Sequence, residues 1–167
     1  MNINKNEVLR YLGYKNQPID ENLNELIDSC IDEIKEISDP RYICNIFDVK
    51  VFENEVQLSN TNLTLRGRDI TNHLRNSKKC AVLASTLGVK VDNRIGYLER
   101  VDMTRALILD ACATEAIESI CNEVEDGIRE PARKEGLDIN YRYSPGYGDL
   151  PIDVQPHILN VLNAEKK

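Results

Sequence analysis

Apolar side chains recur in the first part of the chain at spacings that only a helix brings to one side. Val8, Leu9, Tyr11 and Leu12 mark a short helix, opened by Asn4 with Glu7 in the manner of a capping box and closed near Gly13. After Gln17-Pro18, the residues Leu23, Leu26, Ile27, Cys30, Ile31, Ile34 and Ile37 follow the i, i+3, i+4 rhythm of a second helix. Asp39-Pro40 ends it, because the residue before proline avoids helical dihedrals.

Over residues 41–65 the period changes to two. Ile43, Phe47, Val49 and Val51 share one parity, and Val56, Leu58, Leu63 and Leu65 alternate with polar partners. Glu53-Asn54 and Asn60-Thr61-Asn62 supply turns, so three antiparallel strands are predicted. A short helix follows over about residues 69–76. Residues 80–87 are almost continuously apolar, the signature of a strand buried on both faces, and Gly88 stops it. The longest signal covers residues 102–130, where Met103, Ala106, Leu107, Ala113, Ile117, Ile120, Val124 and Ile128 trace one stripe. The small residues Ala106, Ala113 and Ala116 let another element approach closely. Gly136 lies where that helix would stop. Residues 137–143 alternate as a strand, 144–151 form a Pro/Gly loop, and a last helix starts near Asp153. The class is α+β: a mixed or antiparallel sheet covered by helices, with one long central helix, in a single domain spanning 1–167.

Charge narrows the partners. The 167 residues carry 21 Lys and Arg against 28 Asp and Glu, a formal net charge of -7, which is the wrong sign for gripping a phosphate backbone. Nucleic acid is excluded as a first expectation. No apolar run is long enough to span a bilayer and residues 1–10 hold no signal-peptide core, so a cytoplasmic protein without membrane contact is expected. Cys30, Cys44, Cys80, Cys112 and Cys121 form no CxxC pair, and His73 and His157 lie far apart, so neither a disulfide framework nor a metal site is expected. No glycine-rich phosphate loop is present.

The unusual chemistry lies in Tyr141-Arg142-Tyr143-Ser144-Pro145-Gly146-Tyr147-Gly148-Asp149, which holds three of the seven tyrosines. Pro145-Gly146 suits the centre of a type II turn, which exposes backbone groups that glycine lets a ligand approach. Arg142 offers a planar fork of donors matched to a carboxylate. Tyr143 and Tyr147 suit a flat heterocycle or a sulfonium cation. The alternative for the same residues is a Pro-Gly turn with tyrosines packed beside it.

The segment Arg142-Tyr143-Ser144-Pro145-Gly146-Tyr147 resembles the R-x-x-P-G-Y signature of the activation (reactivation) domain of cobalamin-dependent methionine synthase. Upstream, Ala84-Ser85-Thr86-Leu87-Gly88 is similar to that family's apolar strand ending in T-L-G. The long alanine-rich helix, aligned through Thr114-Glu115-Ala116-Ile117 to Asn122-Glu123, places Glu123 at the position of a ligand-contacting glutamate. The resemblance implies binding of S-adenosylmethionine, with Arg142 meeting the methionine carboxylate. Backbone around Pro145, Gly146 and Tyr147 would contact the ligand, Tyr143 would lie beside it, and Glu123 would make a polar contact near the methionine end. By its place on the edge of the apolar stripe, Glu123 also reads as a solvated glutamate.

The family takes part in reductive methylation of cob(II)alamin, with an electron from a flavodoxin-like donor. This chain holds no D-x-H-x-x-G cobalamin motif, no cysteine-based zinc site and no homocysteine or folate domain. The resemblance therefore implies a free-standing form with no catalytic side chain of its own, meeting cobalamin only through a partner: a cobalamin-binding methionine synthase or another corrinoid protein. A non-catalytic interaction module of the same fold is the alternative. The family's acidic ligand residue in a tryptophan-rich N-terminal context has no counterpart, since the chain has no Trp. The family's closing segment is also missing after Ala164-Glu165-Lys166-Lys167; either the small form does without it or the sequence is cut short, and weaker affinity is expected. Arg66, Arg68, Arg75, Lys78 and Lys79 form the densest basic stretch, a candidate for docking an acidic electron donor or a solvated face.

Overall fold

Three of the helices, α1, α2 and α5, begin where a polar side chain meets the backbone N–H groups that a first turn leaves without partners. A computed structural model describes residues 1–15 and 17–164; Asn16 and the terminal Glu165, Lys166 and Lys167 noted above lie outside the described residues. α1 (Lys5–Tyr11) starts at Asn4, whose side chain accepts from the Asn6 N–H at 3.0 Å. Glu7 turns instead to Arg10 at 2.7 Å, so the cap is one-sided and the expected capping box does not form. α2 (Glu21–Ile37) starts at Asp20, which accepts from the Leu23 N–H at 2.8 Å. α4 (Val89–Val101) follows Gly88, and α5 (Met103–Lys134) follows Asp102, whose carboxylate accepts from the Arg105 N–H at 3.0 Å.

The described chain divides into two compact units, Met1–Tyr42 with Ser85–Asp126, and Ile43–Ala84 with Gly127–Lys167. The first is helical. Val8 of α1, Ile27, Cys30 and Ile34 of α2, and Leu109, Cys112 and Ala116 of α5 are wholly buried in one cluster. On α5 the buried stripe is centred on Leu109, Cys112, Ala116 and Ile120, whereas Met103 and Leu107, expected inside, are 56% and 59% exposed. Both are displaced because the burying partners face the Leu109 side of the helix, and apolar character alone does not choose between adjoining faces. Helix α4 was not legible as a helix of its own: only Val91, Ile95 and Leu98 turn inward along a strongly charged segment. Gly88, at φ +87, lets the chain turn where a Cβ would crowd Asp39.

One partly buried acid clips three helices of this unit. Glu33 of α2 accepts from Arg94 of α4 and from Arg105 of α5, and Arg105 also donates to Ser29 at 3.0 Å. Burial by itself would push the Glu33 carboxyl up, but the hydrogen bonds from Arg105 and Arg94 outweigh it and hold it below its ordinary value.

The second unit is built on a sheet. β1 (Arg41–Val51), β2 (Glu55–Leu58), β3 (Thr64–Arg66) and β4 (Lys79–Thr86) are ordered β3-β2-β1-β4. Val51 faces Val56, and Val56 faces Leu65, so the expected three-strand antiparallel meander forms. β4 runs antiparallel to β1, since the Asp39 N–H meets the Leu87 carbonyl and the Val49 N–H meets the Lys78 carbonyl. β4 is half-buried, with only Val82 fully inside, because helices do not cover both its faces as the continuous apolar run suggested. α3 (Arg68–Leu74), and α6 (Gln155–Leu162) after the 3-10 turn Ile152–Val154, complete the unit. Its core gathers Val56, Leu58, Leu65, Ile70, Leu74, Leu150 and Leu162. The fold is α+β, with an antiparallel sheet and one long helix.

Helix α5 runs past its expected end near residue 130. Pro131 lies inside its last turn, and the residue four before it, whose carbonyl thereby loses a helical N–H, is Gly127. The helix closes in a Schellman motif: Leu137 N–H bonds the Ala132 carbonyl and Gly136 N–H, at φ +71, bonds the Arg133 carbonyl. The strand expected over residues 137–143 does not form. The Leu137 N–H is spent on that motif, the Ile139 N–H bonds Asp138, and the alternating tyrosines gather around a histidine instead of lining a ladder. Among the described residues no helix is long and apolar enough to cross a membrane.

Leu109→Ala is expected to lower unfolding free energy by about 2–5 kcal/mol, the cost of a cavity at a site with no exposure, read from denaturant unfolding.

Candidate functional site

The candidate site lies in the sheet unit, where the segment after α5 folds into two successive turns. The Tyr147 N–H bonds the Ser144 carbonyl at 3.1 Å, and Gly146, at φ +92, occupies the third position, so the expected type II turn forms. A second turn follows, with the Leu150 N–H on the Tyr147 carbonyl at 3.1 Å and Gly148 at φ +53. The Gly146 N–H closes the pair onto the Leu150 carbonyl at 2.9 Å. Leu150 is buried in the core and anchors the end of the loop. The N–H groups of Gly146 and Tyr147 are thus engaged within the loop and are not the ligand donors that an isolated turn would offer.

Four rings surround this loop. The His73 imidazole of α3 lies 4.5 Å from the Tyr141 ring and 5.2 Å from the Tyr143 ring, both tilted, and Tyr143 meets Tyr147 edge-on at 6.3 Å. Tyr141 and Tyr147 are 73% and 61% exposed, while His73 and Tyr143 are half-buried. Such exposed rings beside half-buried ones make a surface suited to a flat, polarisable ligand. The Tyr143 hydroxyl donates to the Tyr147 carbonyl at 3.1 Å. Loss of water, then the charges of Asp69 and Asp149, raise the Tyr143 phenol above its ordinary value, so it remains a donor at neutral pH.

The loop is fastened to α3 through Asp149. Gly67 precedes this helix and carries no side chain to cap it. The Asp149 carboxylate accepts instead from the N–H groups of Arg68 and Asp69, at 2.6 and 3.1 Å. A Cβ on Gly67 would overlap that carboxylate, and a Cβ on Gly148 would overlap the Asp69 carboxylate and the Tyr143 hydroxyl. His73, Asp69 and Asp149 were not singled out from the sequence. The only signal available was the Gly-Asp pair after Pro-Gly-Tyr, which names a cap without naming its helix.

The site residues expected from the sequence fall in both units. Arg142, Tyr143, Pro145, Gly146 and Tyr147 share the loop, with Arg142 half-buried between Tyr141 and Tyr143 in sequence. Glu123 lies on α5 in the helical unit, 62% exposed, and pairs with the N-terminal ammonium of Met1 at 3.6 Å. The same face of α5 meets the start of the chain twice more. Ser119 Oγ accepts from the Asn2 N–H and Glu115 Oε1 from the Asn4 N–H, each at 3.4 Å. Glu115 is buried, and that burial raises its carboxyl above 4.5, with Glu7 and Glu118 adding to the shift while the Asn4 N–H and Arg10 oppose it.

Two residues of the basic stretch are engaged in ion pairs: Arg66 pairs with Glu55 at 3.5 Å and Lys79 with Glu135 at 2.5 Å. All five cysteines are free thiols. Burial, with Cys44 nearby, pushes Cys80 up to about 11, and burial, with Cys30 nearby, pushes Cys112 up to about 12, so both stay protonated and unreactive. Among the described residues no group of three or more His, Cys, Asp or Glu is placed to hold a metal ion.

Two substitutions test this geometry. Gly148→Ala, at a positive φ and against two oxygens, should cost about 1–3 kcal/mol of stability and shift the Tyr143 and Tyr147 ring resonances, measured by thermal unfolding and NMR. Glu115→Gln should stabilise the fold at neutral pH. A carboxyl with a raised folded value binds more protons folded than unfolded, so its burden grows as pH rises through that value and vanishes below 4.5. Melting curves of parent and variant should therefore diverge at high pH and converge at low pH.

No protein-family model matches the chain, and no curated protein is significantly similar to it in sequence.

Proposed function

We propose that the chain binds S-adenosylmethionine at the Arg142–Leu150 loop and acts in trans as a reactivation partner in reductive methylation of cob(II)alamin, on a separate cobalamin-dependent methionine synthase. The observation that carries this reading is the double turn itself. Its R-x-x-P-G-Y residues make a closed, ring-flanked platform with Tyr141 and Tyr147 open to solvent. The chemistry of the residues fits the ligand. A guanidinium suits the methionine carboxylate, and tyrosine faces suit both the adenine ring and the sulfonium charge.

When bound, S-adenosylmethionine supplies an electrophilic methyl group. Every task left to this chain is positional. Arg142 would hold the carboxylate end, and the carbonyls and rings of Pro145, Gly146, Tyr147 and Tyr143 would set the orientation of the ligand. Holding the methyl group in line with its acceptor is catalysis by orientation and calls for no nucleophile or general base here. The accepting corrinoid belongs to the partner, with an electron drawn from a flavodoxin-like donor, and the whole exchange is placed in the cytoplasm, in methionine biosynthesis.

Titration calorimetry of S-adenosylmethionine into the purified chain tests the reading. Saturable binding is expected, weakened about tenfold or more in Arg142→Ala, the cost of a lost charge-assisted hydrogen bond. No binding up to millimolar ligand would sink the reading and leave a non-catalytic interaction module in its place.

A further inference from the structure

We infer that Asp149 is the positioning residue of this loop: its carboxylate mounts the double turn on the start of α3 and so sets where the Pro145-Gly146-Tyr147 groups stand. The inference rests on the reading of this loop as a ligand site. The mount is rigid on the α3 side. The Gly67 N–H bonds the Asn54 carbonyl at 3.1 Å, the Thr71 hydroxyl returns to the Gly67 carbonyl at 2.7 Å, and Ile70, Thr71 and Leu74 are buried. With Gly67 lacking a side chain, the N–H groups of Arg68 and Asp69 take their acceptor from 81 and 80 residues away.

On the loop side, Asp149 stands between Gly148 and the buried Leu150, inside the second turn. Moving its carboxylate therefore moves the Tyr147 and Leu150 groups that close both turns. The fit is reciprocal. The missing Cβ of Gly67 makes room for the Asp149 carboxylate, and the missing Cβ of Gly148 makes room for Asp69 and the Tyr143 hydroxyl. Helix and loop interlock through two acids and two glycines, although neither acid belongs to the R-x-x-P-G-Y segment. A cap with this geometry does two jobs at once, completing a helix and registering a binding loop against it.

The test compares Asp149→Asn and Asp149→Ala with the parent, first without ligand. Amide resonances of Arg68 and Asp69 should move in both variants, and the Gly146 amide, bonded to Leu150, should exchange with deuterium about tenfold faster. The alanine variant should show the larger change, since asparagine keeps one acceptor oxygen. S-adenosylmethionine should then bind about tenfold more weakly to the alanine variant, at a temperature where circular dichroism shows it fully folded. Should the alanine variant unfold, the asparagine variant decides alone. If Arg68 and Asp69 respond while Gly146 and Tyr147 keep their shifts and exchange rates, Asp149 caps α3 only and the inference is overturned. A parent that binds no S-adenosylmethionine but shows the coupled amide response removes the proposed ligand while the mounting role stands.

Discussion

A helix of seven residues with glycine before it cannot complete its own first turn, and the sheet unit is organised around meeting that need. The acceptor comes from Asp149, and bringing it there requires the chain after α5 to return over the start of α3. That return path places Tyr141 and Tyr143 against His73 and puts Leu150 into the core. Residues 137–143 on that path form no strand. The ring cluster and the two glycine turns lie beside this carboxylate seated on two amide groups.

The helical unit satisfies its polar groups by a different device. Glu33 of α2 is met by guanidinium groups from α4 and α5, which offset the cost of its partial burial. Its partners come from helices joined by the single residue Asp102, so the clip also sets the turn between them. Along α5 Glu115, Ser119 and Glu123 recur every four residues and meet Asn4, Asn2 and Met1 in turn. Glu123 thereby spends its charge on the Met1 ammonium.

The proposed chemistry asks little of the protein beyond orientation, and the loop has the features of a device for orientation. Both turns are closed internally, and the end of the loop is held by a buried leucine and a capping carboxylate. Preorganised groups lose little freedom when they engage a ligand, which matters most where the site is shallow and few contacts are made. The buried thiols Cys80 and Cys112 stand apart from this chemistry, since burial keeps them protonated.

Local chemistry was legible in the residues because its causes are local. Period-two and helical spacing mark β1, β2, β3, α2 and α5; Pro145-Gly146 sets a type II turn through a fixed φ and a positive φ; Asp39-Pro40 ends a helix. Where several local patterns compete, only packing chose. Residues 137–143 alternate like a strand yet find no ladder, and the stripe on α5 turns away from Met103 and Leu107 because the other helices of that unit face Leu109. The partners of Asp149, Glu123, Glu33 and His73 were decided by tertiary structure alone. Each is tens of residues distant, and nothing in a one-dimensional pattern measures the path that brings two such side chains within hydrogen-bonding reach.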